Sequence, residues 1–273
     1  MPPKILVERV AKSFGDLHVL ENVSFEVDEG QIACLIGPSG AGKTTTFNLL
    51  AGLDSPSRGR ILIDGMPPGP ETRLGYMFQD LRLLRWRTVL ENVAFGLKAR
   101  GVVRGERATI ALKYLEILGL AEFKDTYPHR LSGGMQQRVA MARAFAVDPT
   151  LLLMDEPFKS VDAQLRLYLL DLLVKLWRET KTTILFITHD TKEAALLGTR
   201  IVVYSKRPVR VKTVLEFPRA VGDRALMDKD VVEMDHRLLH LLREEGVGSF
   251  DWIRGEADQV REVLKGLRLN APE

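Results

Sequence analysis

The chain has 273 residues, of which 45% are hydrophobic and 27% are charged, and its formal net charge is +3. This length suits one large domain or two small ones, and the composition is that of an ordinary globular protein with a sizeable core. The small net charge gives no argument for binding nucleic acid, and no stretch approaches the roughly 20 apolar residues of a membrane span.

Two features bear on the cellular compartment. The one cysteine, Cys34, cannot form an internal disulfide, which is consistent with a reducing compartment, and it lies within an apolar stretch that predicts a buried position. Residues 1–4 lack the apolar core of a signal peptide. The sequence therefore predicts a cytoplasmic protein, to which a partner must supply any membrane span.

The first elements of the chain are predicted strands at residues 4–10 and 23–28, separated by a turn at residues 13–16. Phe14 lies in this turn. Its aromatic face could stack on an adenine ring, or the side chain could belong to the core, and the sequence favours neither alternative.

A phosphate-binding loop follows a short apolar strand at residues 31–36 and precedes a predicted helix at residues 45–51. The loop has the spacing G-x-x-x-x-G-K-[ST], and its residues are Gly37, Pro38, Ser39, Gly40, Ala41, Gly42, Lys43 and Thr44. The glycines let several N–H groups face one point, where the helix N-terminus also favours an anion. Lys43 supplies a charge for the β and γ phosphates, and the Thr44 hydroxyl can bind magnesium.

The middle of the chain adds strands at residues 61–65 and 74–78, the second of which ends at Gln79. Helical spacing then predicts a small helical insert from about residue 83. A further helix at residues 131–146 opens with Ser132, Gly133 and Gly134. This opening is either a second anion site, made of a hydroxyl, backbone N–H groups and a helix dipole, or an ordinary serine cap.

The predicted strand at residues 150–154 is fully apolar, as expected of a central parallel strand, and Asp155 and Glu156 follow it. Because successive side chains of an extended backbone point in opposite directions, we expect different roles for the two carboxylates. Asp155 would hold magnesium, and Glu156 would polarise the attacking water. A second buried strand at residues 182–188 ends at His189, and the chain becomes helical and charged from about residue 220.

The order of these motifs resembles that of ATP-binding cassette (ABC) proteins. The segment Leu131–Gln136 matches the family signature Leu-Ser-Gly-Gly-x-Gln. The other motifs follow in the family's order at Phe14, Gly37–Thr44, Gln79, Leu153–Glu156, Ser160–Asp162 and His189. The resemblance spans roughly residues 4 to 217, and it departs from the usual pattern at Lys159 and Val161, where the family more often has a small residue and leucine.

The resemblance implies an α/β fold: a P-loop NTPase core with a mainly parallel sheet, an N-terminal antiparallel β subdomain, an inserted α-helical subdomain and a helical C-terminal tail. It divides the chain into an ABC ATPase domain at residues 1–217, with the insert at about residues 83–147, and a helical extension at residues 218–273.

The resemblance also implies an ATPase that uses ATP and Mg²⁺. The implied catalytic residues are Glu156, His189 and Lys43. The implied Mg²⁺ ligands are Thr44, Gln79 and Asp155. The implied ATP contacts are Phe14, Gly37, Pro38, Ser39, Gly40, Ala41, Gly42, Lys43, Thr44, Thr45, Gln79, Ser132, Gly133, Gly134 and Asp162.

The family's architecture implies three kinds of partner and no nucleic acid. Two cassettes would pack head to tail in the ATP state, so that each ATP lies between the phosphate loop of one copy and Ser132–Gly134 of the other. Integral membrane permease subunits would dock near Gln79–Val89, on the cytoplasmic face of the membrane, and an external solute-binding protein would complete the complex.

The segment Ser205–Pro208 is similar to the branch of importers for nitrate, sulfonate and taurine, although that branch usually has glycine at Val209. Uptake proteins for thiamine precursors share this pattern, so the sequence leaves the solute open. The main alternative is an ABC ATPase of DNA repair or translation. The repair type needs a long coiled coil before the signature and the translation type usually has two cassettes, and the sequence has neither feature. A small-molecule kinase would lack Ser132–Gly134.

Overall fold

The computed structural model of the chain describes residues 2–159, 161–217, 219 and 221–246. Its strands are β1 (Ile5–Phe14), β2 (Leu17–Val27), β3 (Ile32–Ile36), β4 (Arg58–Ile63), β5 (Leu74–Met77), β6 (Leu151–Asp155), β7 (Thr183–Ile187), β8 (Arg200–Tyr204) and β9 (Val211–Glu216). Its helices are α1 (Lys43–Leu50), α2 (Val89–Ala99), α3 (Arg104–Ile117), α4 (Gly133–Ala146), α5 (Ala163–Thr180), α6 (Thr191–Leu197) and α7 (Lys229–Glu244).

A six-stranded sheet in the order β5-β6-β7-β3-β8-β9 forms the centre of the fold. The strands are parallel except for β9, which pairs antiparallel with β8. Every residue of β3, β6 and β7 is buried, as expected of central strands that are covered on both faces. The loops that follow these neighbouring strands meet at one edge of the sheet. The predicted α/β fold is confirmed, and so is the burial of Cys34 within β3.

A second, antiparallel sheet has the order β2-β1-β4. A tight turn at Gly15 and Asp16 joins β1 to β2, and Gly15 adopts a φ of 56°, which costs little without a Cβ. The predicted turn at residues 13–16 was therefore too long, because Phe14 still pairs with Leu17 across the hairpin. This pairing places Phe14 at the tip of a regular strand.

Helices α2, α3 and α4 follow β5 and precede β6 in the chain, and they pack against one another. Helix α2 begins with a capping box, in which Thr88 Oγ1 accepts a hydrogen bond from Glu91 N over 3.3 Å and Glu91 Oε2 accepts one from Thr88 N over 2.9 Å. The buried amide of Asn92 bonds both Leu84 N (2.7 Å) and Leu84 O (3.1 Å). These bonds hold the loop before α2 in place. The insert boundaries at residues 83 and 147 stay a prediction.

The C-terminal helix α7 packs against α6. The Thr191 hydroxyl donates a hydrogen bond to the buried carboxylate of Asp235, which ties the start of α6 to α7. Within the described part of the extension at 218–273, helical structure is limited to α7. The remainder of the predicted helical tail, residues 247–273, lies outside the described residues. The domain boundary at residue 217 stays a prediction.

Across the described ranges, no helix is both long and apolar enough to cross a lipid bilayer.

Candidate nucleotide site

The phosphate loop connects the buried strand β3 to helix α1, as the sequence predicted. Gly40 and Gly42 adopt φ angles of 73° and 68°, which side chains with a Cβ rarely adopt. A Cβ at Gly37 would lie 2.8 Å from the Cβ of Tyr204, so this glycine also lets the loop approach β8 closely. The N-terminus of α1 has no side-chain cap at Gly42. Its N–H groups are therefore available to an anion.

The ammonium group of Lys43 folds back onto its own loop. Lys43 Nζ donates to the carbonyl oxygens of Gly37 at 2.9 Å and Pro38 at 2.8 Å. Burial lowers the pKa of Lys43 to about 8, although the nearby carboxylates of Glu156 and Asp155 act in the opposite direction. A buried cation on an N–H-rich loop is arranged to receive an anion such as phosphate.

Asp155 lies directly beside the phosphate loop. It is the last residue of β6, it is buried, and its Oδ2 accepts a hydrogen bond from Thr44 Oγ1 at 3.0 Å. Burial raises the pKa of this carboxyl, while the bond from Thr44 lowers it. A hydroxyl and a carboxylate oxygen in contact form part of a set that suits Mg²⁺, which usually takes one or two carboxylates, phosphates and water.

The backbone at Glu156 differs from the extended conformation that the sequence suggested. Strand β6 ends at Asp155, and Glu156 has a left-handed φ of 46°, so the alternation of an extended backbone does not apply to it. Its N–H donates to Ile187 O on β7 at 3.0 Å, which holds this backbone conformation. The two carboxylates do have separate surroundings, but the expected cause was wrong.

Glu156 makes two charged or polar contacts at the edge of the sheet. Its Oε1 contacts His189 Nε2, and its Oε2 lies 2.8 Å from Lys159 Nζ. Burial lowers the pKa of His189, and the charge of Lys43 acts in the same direction, while the neighbouring Glu156 opposes both, so the net shift favours the neutral imidazole. A neutral histidine can donate to Glu156 and thereby orient its carboxylate.

A cavity of about 490 Å³ opens above the phosphate loop and joins these groups in one cleft. It is lined by Phe14, Leu17, Val19, Ser39, Gly40, Ala41, Gly42, Lys43, Thr44, Thr45, Glu156, Lys159, His189 and Arg207. Phe14 is 50% exposed at its rim, which favours the stacking alternative over a place in the core. The structure thus brings Phe14, the phosphate loop, Glu156 and His189 together.

The other predicted site residues do not line this cleft. Ser132 caps α4, accepting a bond from Met135 N at 3.3 Å, and Gly133 is exposed beside it. Asp162 caps α5 by accepting a bond from Leu165 N at 2.9 Å. Both side chains therefore act as helix N-caps within this chain. For Ser132 this is the serine cap that the sequence allowed as one alternative.

Gln79, which follows β5, is exposed and also lies outside the residues that line the cleft. Its contact with magnesium stays a prediction.

Two cationic residues in the cleft were not predicted as site residues, namely Lys159 and Arg207. Arg207 follows β8, which pairs with β3, so the loop after it must lie at the same sheet edge as the phosphate loop. That adjacency depends on the pairing of β8 with β3, so no local pattern in the sequence indicated it. Lys159 had been noted only as a departure from the family pattern.

Several known proteins are similar in sequence to this chain. An uncharacterised ABC transporter ATP-binding protein of Methanocaldococcus jannaschii is 43% identical over 258 residues, covering 91% of this chain and 95% of the relative. The nitrate import ATP-binding protein NrtD of a Synechocystis strain is 43% identical over 202 residues, covering 74% and 76%. The taurine import ATP-binding protein TauB of Yersinia pestis is 47% identical over 193 residues, covering 70% and 76%.

A solved structure extends this likeness to three dimensions. A dimeric ATP-binding cassette in a post-hydrolysis state, bound to ADP and Pi, superposes with a TM-score of 0.70 at 31% identity, covering 79% of this chain and all of the other. The sequence pattern of the ABC transporter family matches residues 20–159, just over half of the chain. The chain therefore belongs to the ABC transporter family, as an ATP-binding subunit that hydrolyses ATP.

Proposed function

We propose that this protein powers an ABC importer by closing as a head-to-tail homodimer around ATP. The observation that carries the proposal is the incomplete cleft: the phosphate loop, Glu156 and His189 share one cavity, and Ser132–Gly134 lies outside it. The first N–H groups of helix α4 have no acceptor within the helix. A second copy would place these N–H groups over the phosphates bound by the first copy.

Each residue in the cleft then has a distinct role in the reaction. Lys43 and the N–H groups of the phosphate loop bind the β and γ phosphates. Glu156 accepts a proton from the attacking water, and His189 orients its carboxylate. Phe14 stacks on the adenine. Asp162, which lies outside the cleft, contacts the opposing subunit.

Mg²⁺ is the metal that the donor set fits. Thr44 and Asp155 would hold it, and it would neutralise charge on the phosphates during transfer. Gln79 would join these ligands if the loop after β5 moves when the dimer closes. Such a movement would connect the state of the nucleotide to the insert.

A groove next to Gln79 supports docking of membrane permease subunits near Gln79–Val89, at the cytoplasmic face. Its volume is about 640 Å³, and it is lined by Asp80, Leu81, Arg82, Leu83, Arg85, Pro128, His129 and Gln136. Trp86 is 74% exposed in the same segment, an unusual position for a large aromatic side chain that has no partner to cover it.

The nitrate and taurine relatives support uptake of a small nutrient, with nitrate, sulfonate, taurine or a thiamine precursor as the solute classes. An external solute-binding protein would deliver the solute, and we expect no nucleic-acid partner. Val209, which departs from the usual glycine of that branch, is fully buried and pairs with Leu20. Valine in place of glycine at this position therefore affects the packing of the loop after β8 against β2.

The proposal is tested in vesicles that contain the cognate permease, with ATP supplied on the cassette side. We expect solute-loaded binding protein to stimulate ATP hydrolysis and uptake together. Trp86→Ser should abolish the stimulation, whereas Leu53→Ser, which removes an apolar side chain that is 67% exposed and does not line the groove, should keep it. Hydrolysis that is indifferent to solute and binding protein would contradict an import function.

The role of Glu156 has its own test. Glu156→Gln should still bind ATP but lose turnover by a factor of about 100 to 10,000, because the general base is removed. It should also accumulate as an ATP-bound dimer, measurable by light scattering. A Glu156→Gln variant with normal turnover would refute the assignment.

A further inference from the structure

The loop between β8 and β9, residues 205–210, is held firmly at the edge of the central sheet. Ser205 N donates to Arg210 O at 3.0 Å, and Arg210 N donates to Ser205 Oγ at 3.0 Å. Val209 is buried, and its N–H donates to Val19 O at 3.0 Å. The N–H of Lys206 donates to a carboxylate oxygen of Glu245 at 2.8 Å. The backbone on both sides of Arg207 is therefore fixed.

The same loop is also fixed relative to the phosphate loop. Tyr204, the last residue of β8, packs so closely on Gly37 that a Cβ there would lie only 2.8 Å from the Tyr204 Cβ. The Tyr204 hydroxyl lies 3.0 Å from Thr46 Oγ1 on α1. Because Tyr204 is fully buried, these contacts determine where the residues after β8 can lie.

Arg207 extends from this loop across the phosphate loop. Its Nη2 lies 2.8 Å from the position that a Cβ would take on Gly40, and Arg207 lines the same cavity as Lys43. A side chain at position 40 would occupy the space that the guanidinium now uses. The absence of a side chain at Gly40 thus serves two purposes, the left-handed backbone and the approach of Arg207.

The guanidinium of Arg207 has no anionic partner in the part of the chain that the structure describes. No hydrogen bond or ion pair involves its side chain there. Arg210, three residues further on, pairs with Glu21 at 3.2 Å and lies outside the cleft. An arginine held over an N–H-rich loop, close to a second cation and without a carboxylate, is arranged for an oxyanion.

We propose that Arg207 is a nucleotide-binding residue whose guanidinium donates hydrogen bonds to the phosphate chain of ATP. This inference rests on the cleft being the ATP site. The planar guanidinium carries five donors in a fixed fork, which matches phosphate oxygens better than an ammonium group does. Arg207 thereby adds a second cation to the cavity that Lys43 lines, next to Gly40 of the phosphate loop. Its position is determined by β8 and the loop that follows β8, not by the phosphate loop.

The test measures ATP affinity of three variants in the full-length protein. Arg207→Ala should raise the dissociation constant of ATP by about tenfold to a hundredfold, as expected from loss of charge-assisted hydrogen bonds. Arg207→Lys should recover part of this loss. Arg210→Ala, which removes a cation from the same loop outside the cleft, should bind ATP as the wild type does.

Inorganic triphosphate is the second probe, because it has the phosphates of ATP without the base or sugar. We expect Arg207→Ala to weaken triphosphate binding by the same factor as ATP binding, with an unchanged melting temperature. If the variant binds both within twofold of wild type, the inference is wrong. If only ATP binding weakens, the arginine contacts the nucleoside, which also contradicts it. A wild-type protein that binds no ATP would instead overturn the function of the cleft.

Discussion

The hydroxyl of Thr44 donates a hydrogen bond to Oδ2 of Asp155 across 3.0 Å, although the two residues are 111 positions apart in the chain. The bond joins the start of α1 to the end of β6, two elements that the order of strands in the sheet brings to one edge. It places two oxygen donors where a metal bound to phosphates would need them. Its first consequence is a prediction about magnesium.

Removing either oxygen should weaken the response to magnesium rather than the fold. Thr44→Ala should raise the Mg²⁺ concentration needed for half-maximal ATP hydrolysis, because a hydroxyl ligand is lost, and Thr44→Ser should restore it. Asp155→Asn should lower turnover by about 100-fold or more, since the charged ligand of the magnesium ion is lost. Magnesium titrations of the ATPase rate check both changes, and a Thr44→Ala variant with an unaltered Mg²⁺ requirement would contradict this assignment.

The buried carboxyl of Glu193 should make the free energy of unfolding depend on pH. It is buried near the start of α6, where Thr188 donates to it and Arg166 lies 3.5 Å away. Burial raises the pKa of this carboxyl from 4.5 to about 7. Below pH 4.5 it is protonated in both the folded and unfolded states, whereas between pH 4.5 and 7 only the unfolded state releases the proton readily. The free energy of unfolding should therefore fall across this window as pH rises.

Glu193→Gln should remove the fall in the free energy of unfolding that Glu193 causes as pH rises. At pH 8 we expect the variant to be more stable than wild type by about 1 to 3 kcal/mol, and at pH 4.5 the two should agree more closely. Urea unfolding at both pH values measures the difference, with the exposed Glu116→Gln as the matched control. A Glu193→Gln variant that is less stable at pH 8 would show that the carboxylate charge is satisfied by Arg166.

Arg224 connects the extension to the core. Its buried guanidinium donates to the carbonyls of Ala195 (3.0 Å) and Gly198 (2.8 Å) at the end of α6, and it lies 3.8 Å from the ring centroid of Phe217. A cation at a helix C-terminus satisfies carbonyls that have no partner within the helix. Losing it should leave several of these carbonyls buried and unbonded.

We therefore expect Arg224→Ala to lower the free energy of unfolding by about 2 to 4 kcal/mol. Arg58→Ala, which removes an exposed arginine from β4, should change it by less than about 0.5 kcal/mol. Thermal and urea unfolding distinguish the two outcomes. Equal stabilities for Arg224→Ala and wild type would mean that α7 is held by other contacts.

The sequence predicted the central strands and the phosphate loop from local patterns, and the resemblance to ABC proteins implied the α/β fold. Apolar runs identify β3, β6 and β7, and the spacing from Gly37 to Thr44 identifies the loop between β3 and α1. Parallel neighbours then place the ends of these strands together. The order of these strands in the sheet is long-range information that the local patterns do not contain.

Other features depend on contacts that no local pattern contains. The left-handed conformation of Glu156 is set by its bond to Ile187, a residue from a different strand. Arg207 reaches the phosphate loop because β8 pairs with β3. The sequence alone does not show which strands are neighbours in the sheet. The extent of β1 through Phe14 depends on its partner strand, since a turn and a hairpin end share the same residue types.

The central claim is that ATP is hydrolysed at a site shared by two copies of the chain. Two variants, each inactive alone, can test it when they are mixed. Lys43→Ala removes the cation of the phosphate loop, and Gly133→Asp adds a negative charge at the start of α4. A Cβ at Gly133 meets no atom within 4 Å, so the second variant should fold normally. A heterodimer of the two contains one intact pair, in which Lys43 of one copy faces Gly133 of the other.

The decisive measurement is the ATPase rate of the mixture against the rates of its components. If the site is shared, two inactive proteins should recover activity on mixing, up to about a quarter of the wild-type rate for random pairing. The double variant mixed with either single variant leaves no intact pair and should stay inactive. A mixture with no recovery, or a Gly133→Asp protein that hydrolyses ATP at the wild-type rate on its own, would contradict a shared site.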